Sequence, residues 1–466
     1  MTGSPAPIEP SHSGSAKSPL ERALGLVTDV RHGEAPTALL LTLNVFLLLT
    51  AYYVIKPVRE GLILELEGGA EYKSFMSGAI ALLLLVLVPA YATFASKVPR
   101  NRLVVGVTSF FVLHLLLFYV ASSFPALRAQ LGLIFYVWVG VVNMMLVAQF
   151  WAFANDIYDE ERGKRLFPLV GIGASLGAAL GAQVTAVLAE PIGPYQLLLV
   201  SAGLLAICAL LFHWVHTRES QPKKAGSHEG EARDQEAPAS EPQKRGYGFD
   251  LVFKHRYLRL LAAFSLAFTL VNTNGEYMLS KLFKQAASDA VKSGAIAADA
   301  TGNFLTAEYG QFYFYVNVVG VLLQTFAVSR IVKFGGLKLA FLILPVISAL
   351  GQSAFLLLPV LAVLRWSKTA ENATDYSLNN TVRNMLWLPT TREMKYQAKQ
   401  AVDTFFVRMG DVASTALVAG AGVGLGIGLR TFALINLCII VLWLFLAVLI
   451  IRENQRLSST HRPEHG

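Results

Sequence analysis

The sequence contains very little cysteine and none of the clusters that enzymes use. Only two of its 466 residues are cysteines, Cys208 and Cys438. Two isolated cysteines provide neither a disulfide framework nor a zinc pattern, and because both lie in long apolar runs we expect them to be small apolar packing residues. The chain also lacks a metal-ligand cluster, a P-loop and a paired nucleophile and base. We therefore expect no enzyme activity, no metal site and no cofactor.

Charged residues are scarce, at 15% of the chain, whereas hydrophobic residues make up 54% and the mean hydropathy is +0.50. This composition excludes a soluble enzyme. Apolar runs of about twenty residues recur, and each is long enough to cross a hydrocarbon core of about 30 Å. The tenth run is the most polar, and a re-entrant or surface segment is the alternative for it. The sequence predicts twelve spans, at residues 37–55, 74–94, 103–121, 132–154, 166–189, 195–215, 258–280, 308–328, 337–358, 362–386, 402–427 and 430–451.

The first 35 residues lack an early apolar core, so no cleaved signal peptide is expected. The spacing of apolar residues over 19–31 predicts a short amphipathic helix, which lies either on the membrane surface or in solvent. Those residues are Leu20, Ala23, Leu24, Val27 and Val30.

The distribution of basic residues predicts the orientation. Most lysines and arginines outside the spans fall in the termini and in the connections after even-numbered spans. By the positive-inside rule, both termini are expected to be cytoplasmic, in a bacterial inner membrane. The net charge of +8 follows from this bias and does not indicate a nucleic-acid partner.

A hydrophilic linker divides the spans into two groups of six. The halves echo each other, since the basic connection SKVPRNRL (96–103) has a counterpart in SRIVKFGGLK (329–338). This is the layout of a major-facilitator transporter, so we expect an all-α membrane protein with twelve transmembrane helices in two six-helix bundles. The expected segments are an N-terminal tail (1–35), an N-terminal bundle (36–215), a cytoplasmic linker (216–257), a C-terminal bundle (258–452) and a C-terminal tail (453–466).

Charged residues inside the spans are the main functional clue, because one charge at a helix centre costs roughly 2.5–3.5 kcal/mol on insertion scales. Span 10 carries more of them than any other span. Lys368, Glu371 and Asp375 share one helix face, and Arg383 follows about two turns later. These side chains line either a water-filled cavity or a buried ladder of ion pairs.

Polar and charged residues also occur in four other spans. In span 1, Lys56 and Arg59 lie near Pro57, which is expected to kink the helix, and Glu60 is adjacent. A plain interfacial cluster is the alternative for this group. The positions in spans 7, 8 and 11 are Asn272, Asn274, Glu276, Lys281, Glu308, Gln311, Tyr313, Asn317, Asp403, Arg408 and Asp411.

Excess arginine and lysine in a cavity favours an anionic substrate. Arginine binds phosphate oxygens in a bidentate fork, and lysine supplies a point charge. Four aromatic residues either stack on a nucleotide base or lie at the membrane interface. They are Tyr52, Tyr53, Trp151 and Trp387.

Glycines recur in two spans. The run GIGASLGAALG (171–181) places Gly173, Gly177 and Gly181 four residues apart, which allows two helices to approach closely. A dinucleotide fingerprint is excluded because no strand precedes the run. The alternating glycines at 420–428 are expected to serve the same packing.

Three blocks of the sequence resemble the ATP:ADP antiporter family, the nucleotide transporters of plastids and intracellular bacteria. The first is FWAFANDI followed by ERGKRLFPLVGIGA, at 150–157 and 161–174. The second is RNMLWLP followed by AKQAVDTFFVRMGD, at 383–389 and 398–411, and the third is KPVREGLIL at 56–64. The resemblance implies a major-facilitator-like fold and nucleotide exchange without a bound cofactor.

By position, the resemblance implies functional charges at Arg59, Glu161, Glu276 and Lys399, with Arg383 as a further basic residue. The chain departs from the family pattern at three places, which alters the expected charge balance of the cavity. Pro57 and Asn384 stand where an acidic residue is usual, and Asp411 stands where a lysine is usual.

The leading hypothesis is a monomeric secondary active transporter that works by alternating access and exchanges or takes up nucleotides, with the lipid bilayer as its surroundings and no nucleic-acid partner. Substrate binding is assigned to Arg59, Lys56, Arg383, Lys399 and Lys281. Gating and coupling are assigned to Glu161, Glu276, Lys164, Arg165, Glu371, Asp375, Asp403 and Arg408.

Two alternatives remain open. One is a proton-coupled major-facilitator carrier of another organic anion, with Glu276, Glu371 or Asp375 binding the proton. The other is a membrane interaction or sensor protein that retains a transporter scaffold.

Overall fold

A computed structural model describes residues 28–31, 33–219 and 247–460. Most of the helix predicted at 19–31, and most of the linker predicted at 216–257, lie outside the described residues. Within these ranges the chain is helical and forms twelve long helical segments, as the sequence predicted. We call each of them a rod, because some consist of one α-helix and others of consecutive α- and π-helical turns.

The N-terminal half contains six rods joined by short connections. Because these connections are only a few residues long, consecutive rods run antiparallel. The rods are α1 (Ala35–Glu65), α2 (Gly69–Ala95), α3 (Arg100–Ser122), α4 (Arg128–Ile157), α5 (Glu160–Ile192) and α6 (Pro194–Glu219).

The C-terminal half repeats this arrangement after a short helix, Tyr247–Lys254. Three of its rods contain π-helical turns. One of these turns, Asp375–Asn379, lies in the middle of the fourth rod of this half. Such turns frequently mark functional positions in a helix. The rods are α7 (Arg256–Lys292), α8 (301–335), α9 (Gly336–Leu357), α10 (361–385), α11 (394–424) and α12 (Leu429–Thr460).

Two of the rods are more polar than an ordinary membrane span. By length and apolar composition, nine segments of the described chain qualify as spans, one of which joins α8 and α9 over Ala298–Leu357. The rods without a qualifying segment are α7 and α10. A polar helix is tolerated in a membrane where neighbouring helices bury its polar face, so these two rods are expected to face the interior.

The first two rods extend further than the apolar runs predicted. The run at 37–55 continues as helix through Pro57 to Glu65, and α2 begins at Gly69 rather than at residue 74. The added turns carry Lys56, Glu60 and Lys73, each less than 9% exposed. These charges lie inside the protein, so the interfacial cluster considered for span 1 is wrong.

Close helix packing holds α5 against α1. A Cβ added to Gly177 would lie 2.2 Å from the Phe46 carbonyl oxygen, and one added to Gly181 would lie 2.3 Å from the Thr50 oxygen. Thr50 Oγ1 also donates to the Gly177 carbonyl at 3.2 Å. The packing function predicted for this glycine series is confirmed.

The glycines at 420–428 do not pack against a neighbouring helix backbone in this way, and that prediction is wrong. A Cβ on Gly420 or Gly428 would meet no atom within 4 Å. The segment forms a π-helical turn that ends at Gly424, and Gly426 takes a φ of +64° in the connection to α12. Residues with positive φ favour glycine, so the run ends a helix rather than joining two.

The two cysteines differ. Cys208 is buried, and its thiol donates to the Asn44 carbonyl at 3.6 Å. Cys438 is exposed on α12 and does not pack inside the protein, so its prediction as a small apolar packing residue is wrong.

The two halves contact each other at one end. We call the end where α1 begins and α12 ends the termini end, and the opposite one the distal end. Contacts between the halves include those of α5 with α8 at Gly310 and Ala186, of α1 with α8 at Gly61 and Thr306, and of α2 with α11 at Gly78 and Thr415. All six positions lie in the distal halves of their rods. The distal end is therefore closed.

Candidate functional site

A chain of ion pairs begins on α1 and crosses to α2. Glu60 is fully buried, and its carboxylate receives the Arg59 guanidinium at 3.0 Å and the Lys73 amine at 2.8 Å. Lys73 also donates to Ser280 Oγ at 2.9 Å and to the Tyr309 hydroxyl at 3.3 Å, both in the C-terminal half. Since a buried charge needs partners to offset its lost hydration, these contacts fix Lys73 between the halves.

Glu276 on α7 continues the chain. Its two carboxylate oxygens lie 3.8 Å from the Lys73 amine on one side and 3.8 Å from the Lys368 amine on the other. The Asn372 amide donates to it at 3.1 Å. Each lysine has a closer partner of its own, so Glu276 is the shared and more weakly held member.

Lys368 on α10 ends the chain. Its side chain is fully buried, and its amine donates to Asn272 Oδ1 at 2.7 Å and to Glu371 at 3.2 Å. The pairing of Lys368 with Glu371 along α10 agrees with the buried ladder considered for this rod. Asp375 does not join it and accepts from Asn379 at 2.7 Å.

Lys56 lies beside this chain of ion pairs, inside a cage of tyrosines. Its amine is 4.0 Å from the ring centre of Tyr313, 5.0 Å from that of Tyr53 and 5.9 Å from that of Tyr376. Aromatic faces attract cations within about 6 Å. The cage joins the halves, because Tyr53 belongs to α1 and the other two rings to α8 and α10.

The other predicted substrate-binding residues lie in two separate places. Lys281 pairs with Glu71 of α2 and is 40% exposed at the distal end. Arg383 donates to Asp403 at 2.8 Å, and Lys399 donates to Asn384 at 2.9 Å, towards the termini end of α10 and α11. Together with Lys56 and Arg59 at the buried ion pairs, the predicted substrate-binding residues therefore lie in three separate places and do not form one site.

Arg408, a further predicted coupling residue, pairs with Asp411 on α11. Arg408 lies 3.4 Å from Asp411, whose carboxylate also accepts from Thr273 at 2.8 Å. Asp411 thus binds a cation where the family pattern has a lysine.

The charged first turns of α5 contact the segment before α1. Arg165 forms a two-pronged ion pair with Glu34, both distances being 2.9 Å, and Glu161 pairs with Arg31. Hydrogen bonds from the Arg165 guanidinium hold the pKa of the Glu34 carboxyl below its usual range. Lys164 lines a surface pocket of about 750 Å³ in the same region. These residues lie at the termini end, away from the buried ion pairs.

The sequence did not single out Lys73 or Arg365. Lys73 stands one residue before the predicted start of span 2, and so was counted as a loop residue. Arg365 of α10 donates to Glu308 at 2.6 Å and to Gln311 at 2.9 Å. The two acceptors were recognised as polar positions of span 8, and the only available signal for Arg365 was that it is a charge inside predicted span 10.

Two of the aromatic residues considered for base stacking pack against helices instead. The Trp151 ring meets Phe167 edge-on at 5.5 Å, and Trp387 is buried in the core of the C-terminal half. Tyr53 faces Lys56, as described above. The Tyr52 ring packs edge-on against the Tyr53 ring, with 5.3 Å between the ring centres.

The sequence matches a family model. Residues 41–388 match the model of the Major Facilitator Superfamily, and the two six-rod halves described above have the corresponding architecture. The chain belongs to the major facilitator superfamily. Its helices agree in fold with solved members: the nucleoside transporter NupG aligns with a TM-score of 0.61 at 14% identity, over 89% of this chain and 99% of that one. The POT family transporter PepTSo aligns with a TM-score of 0.61 at 11% identity, over 90% and 98%.

Curated relatives include carriers of intracellular bacteria. ADP,ATP carrier protein 1 of Chlamydia trachomatis serovar D is 22% identical over 60% of this chain, a match that spans only 56% of the carrier's own length. ADP,ATP carrier protein 4 of Rickettsia conorii is 22% identical over 88% of this chain and 90% of the carrier. The resemblance found in the three sequence blocks is thus confirmed, at low identity.

Proposed function

We propose that this major-facilitator protein is a secondary active transporter that exchanges nucleotides by alternating access. The observation that carries the proposal is the buried group of charges between the two halves. Four cations and four carboxylates occupy a region where each charge is costly in a membrane. The names of the Chlamydia and Rickettsia relatives support ADP and ATP as the substrates to test first.

The charges divide unequally between the halves. The N-terminal half contributes three cations and one carboxylate, whereas the C-terminal half contributes one cation and three carboxylates. Those of the N-terminal half are Lys56, Arg59, Lys73 and Glu60. Those of the C-terminal half are Lys368, Glu276, Glu371 and Asp375. Opposite charges on facing halves attract, so this division favours a closed distal end.

Binding of a phosphate-bearing substrate would weaken that attraction. Arg59 offers the planar donor fork that suits phosphate oxygens, and its side chain is 15% exposed. A bound polyphosphate would neutralise the excess cations of the N-terminal half and lower the electrostatic cost of separating the distal ends. The closed distal end would then open while the termini end closes.

At the termini end, two charged groups are suited to form the opposite closure. Asp403 with Arg383 and Lys399 belongs to the C-terminal half, and Glu161 with Arg165 belongs to the N-terminal half. We assign gating to these two groups, with Lys164 and Arg408 beside them. The basic connections at this end support a cytoplasmic location for it. The bacterial relatives support a bacterial inner membrane as the location of the protein. We propose that the protein acts as a monomer.

Counterflow in proteoliposomes tests the proposal. Vesicles containing the purified protein are loaded with unlabelled ADP, and uptake of labelled ATP is measured. We expect uptake above that of protein-free vesicles, and a loss of uptake in Arg59→Gln because its guanidinium binds phosphate. Lys338→Met, an exposed lysine at the start of α9, is the matched control and should retain uptake. No uptake by the unaltered protein, in either direction of loading, would refute nucleotide exchange.

A second candidate, a proton-coupled carrier of another organic anion, is favoured by Asp375. Its carboxylate hydrogen-bonds an amide rather than a cation, which leaves it able to take up a proton. Uptake driven by an imposed pH gradient, and abolished in Asp375→Asn, would support this candidate. Uptake that does not change when the pH gradient is imposed would exclude this candidate.

A further inference from the structure

Lys56 differs from the other buried cations in having no anionic partner. Its side chain is buried, with the residue 8% exposed, yet no carboxylate, carbonyl or hydroxyl of the described residues lies within bonding distance of its amine. By contrast, Arg59, Lys73 and Lys368 each contact a carboxylate at 3.2 Å or less. A buried cation without a partner is unusual enough to indicate a function.

The carboxylates near Lys56 are already engaged. The charged groups that face it are Arg59 and Glu60 on α1, Lys73 on α2 and Glu276 on α7. Glu60 is held by two cations, and Glu276 lies between Lys73 and another lysine on α10. The neighbours on α8 and α10 are tyrosine rings, which carry no charge. The positive charge of Lys56 therefore remains unmatched.

One wall of the cage is open to water. Tyr313 and Tyr53 are buried, whereas Tyr376 is 46% exposed. Since the distal end is closed, this exposure faces the open part of the site. An anion entering that space would reach the Lys56 amine past the Tyr376 ring. The unmatched amine therefore stands where an incoming anionic group arrives.

We propose that Lys56 is the lock that ties reorientation to a bound anion. With Tyr376 exposed on one side, water that reaches this space can stabilise the amine. Closing the termini end over an empty site would remove that water and enclose an unmatched cation in a low-dielectric interior. A phosphate group bound to Lys56 would match the charge and permit closure. The empty protein would then be unable to change sides, which makes transport an exchange.

The inference rests on the proposed function only in requiring an anionic ligand; it does not depend on that ligand being a nucleotide. Any ligand with a phosphate group could release the lock. Tests of the lock can therefore measure the conformation of the empty protein without any substrate, and tests of substrate identity can be kept separate.

Accessibility of a single cysteine measures the conformation directly. Ser74 of α2 is 3% exposed at the closed distal interface, and its hydroxyl has no hydrogen-bond partner among the described residues, so Ser74→Cys is a mild change. It is introduced after Cys208 and Cys438 are replaced by alanine. In lipid nanodiscs without ligand, labelling by a water-soluble maleimide reports opening of the distal end.

Variants that remove the charge of Lys56 and variants that keep it have opposite expected results. Without ligand, Lys56→Met should label about tenfold faster than the parent, since it removes the charge whose enclosure is costly. Lys56→Arg retains the charge and should label as slowly as the parent, as should the exposed Lys338→Met. Lys56→Gln is a second neutral variant, used if Lys56→Met does not yield folded protein. Equal slow labelling in the parent and the folded neutral variant would overturn the proposal.

Efflux supplies an independent measurement. Vesicles loaded with labelled ADP should release it only when external substrate is added, whereas the neutral Lys56 variant should also release it into plain buffer. If the unaltered protein exchanges no nucleotide, the proposed function fails but the labelling result still decides the lock. Inorganic pyrophosphate is the probe in that case, and it should accelerate labelling of the parent protein but not of the neutral Lys56 variant.

Discussion

The contact between α5 and α1 gives a prediction whose magnitude follows from the structure. In Gly177→Ala the new methyl group would lie 2.2 Å from the Phe46 carbonyl oxygen, whereas an ordinary contact is at least 3.4 Å. The obstacle is backbone, so the two helices must separate by about 1 Å or bend. Overpacking of this kind costs about 1–3 kcal/mol, partly offset by the better helix propensity of alanine, about 1 kcal/mol. We expect a net loss of thermal stability.

Gly171 in the same helix is the matched control. A Cβ there would meet no atom within 4 Å, so Gly171→Ala receives the propensity gain without the clash. Melting of both variants in detergent or nanodiscs should therefore show Gly171→Ala at or above the parent protein and Gly177→Ala below it. Equal melting temperatures for the two variants would refute the close approach of the helices on which the packing argument depends.

Two further predictions concern ion pairs. Glu60→Gln leaves Arg59 and Lys73 buried without their carboxylate, and we expect a loss of about 3–5 kcal/mol in unfolding free energy, measured by thermal or denaturant melting and made smaller when Lys73→Met is added. The lowered pKa of Glu34 means that its pairing with Arg165 stabilises the fold above the ordinary carboxyl pKa of about 4.3 and is lost as pH falls through the lower folded value. The difference in melting temperature between the parent and Glu34→Gln should therefore be constant near neutral pH and shrink in acid; a difference that grows in acid would contradict this sign.

Hydropathy predicted the rods well and their ends less well. Apolar runs must be long enough to cross the membrane, so the twelve helices could be counted from sequence. The ends of α1 and α2 were missed because a hydropathy rule treats every charged residue as solvent-facing. In the fold, Glu60 and Lys73 satisfy each other inside the protein, and helix continues through both. Lys73 was overlooked for that reason alone.

Glycine spacing was informative only where the helix continues through the glycines. Glycines four residues apart lie on one helix face, and those of α5 pack against α1 as predicted. The glycines at 420–428 contain the same spacing, since Gly420, Gly424 and Gly428 are also four residues apart. They form no packing surface because the helix does not continue through them: a π-helical turn ends at Gly424, and Gly426 takes a φ of +64° in the connection to α12.

The partners of the site residues could not be predicted from the sequence. Positions of charges in α7 and α10 were recognisable because charges are rare in spans. Their pairing joins residues about two hundred positions apart, as in Lys73 with Glu276, and depends on how the two halves face each other. Only i, i+3 pairs within one helix, such as Lys368 with Glu371, could be read from spacing.

The arrangement of partners also decides which sign of substrate can act on the site. A cationic ligand would have to compete for Glu276 or Glu371, which are already engaged by Lys368 and by the Asn372 amide. An anion meets no such competition at Lys56, whose amine contacts only aromatic rings. Binding an anion therefore gains a full charge pair without breaking one. The uneven division of charge between the halves then converts that local gain into a weaker hold on the distal end, which couples binding to movement.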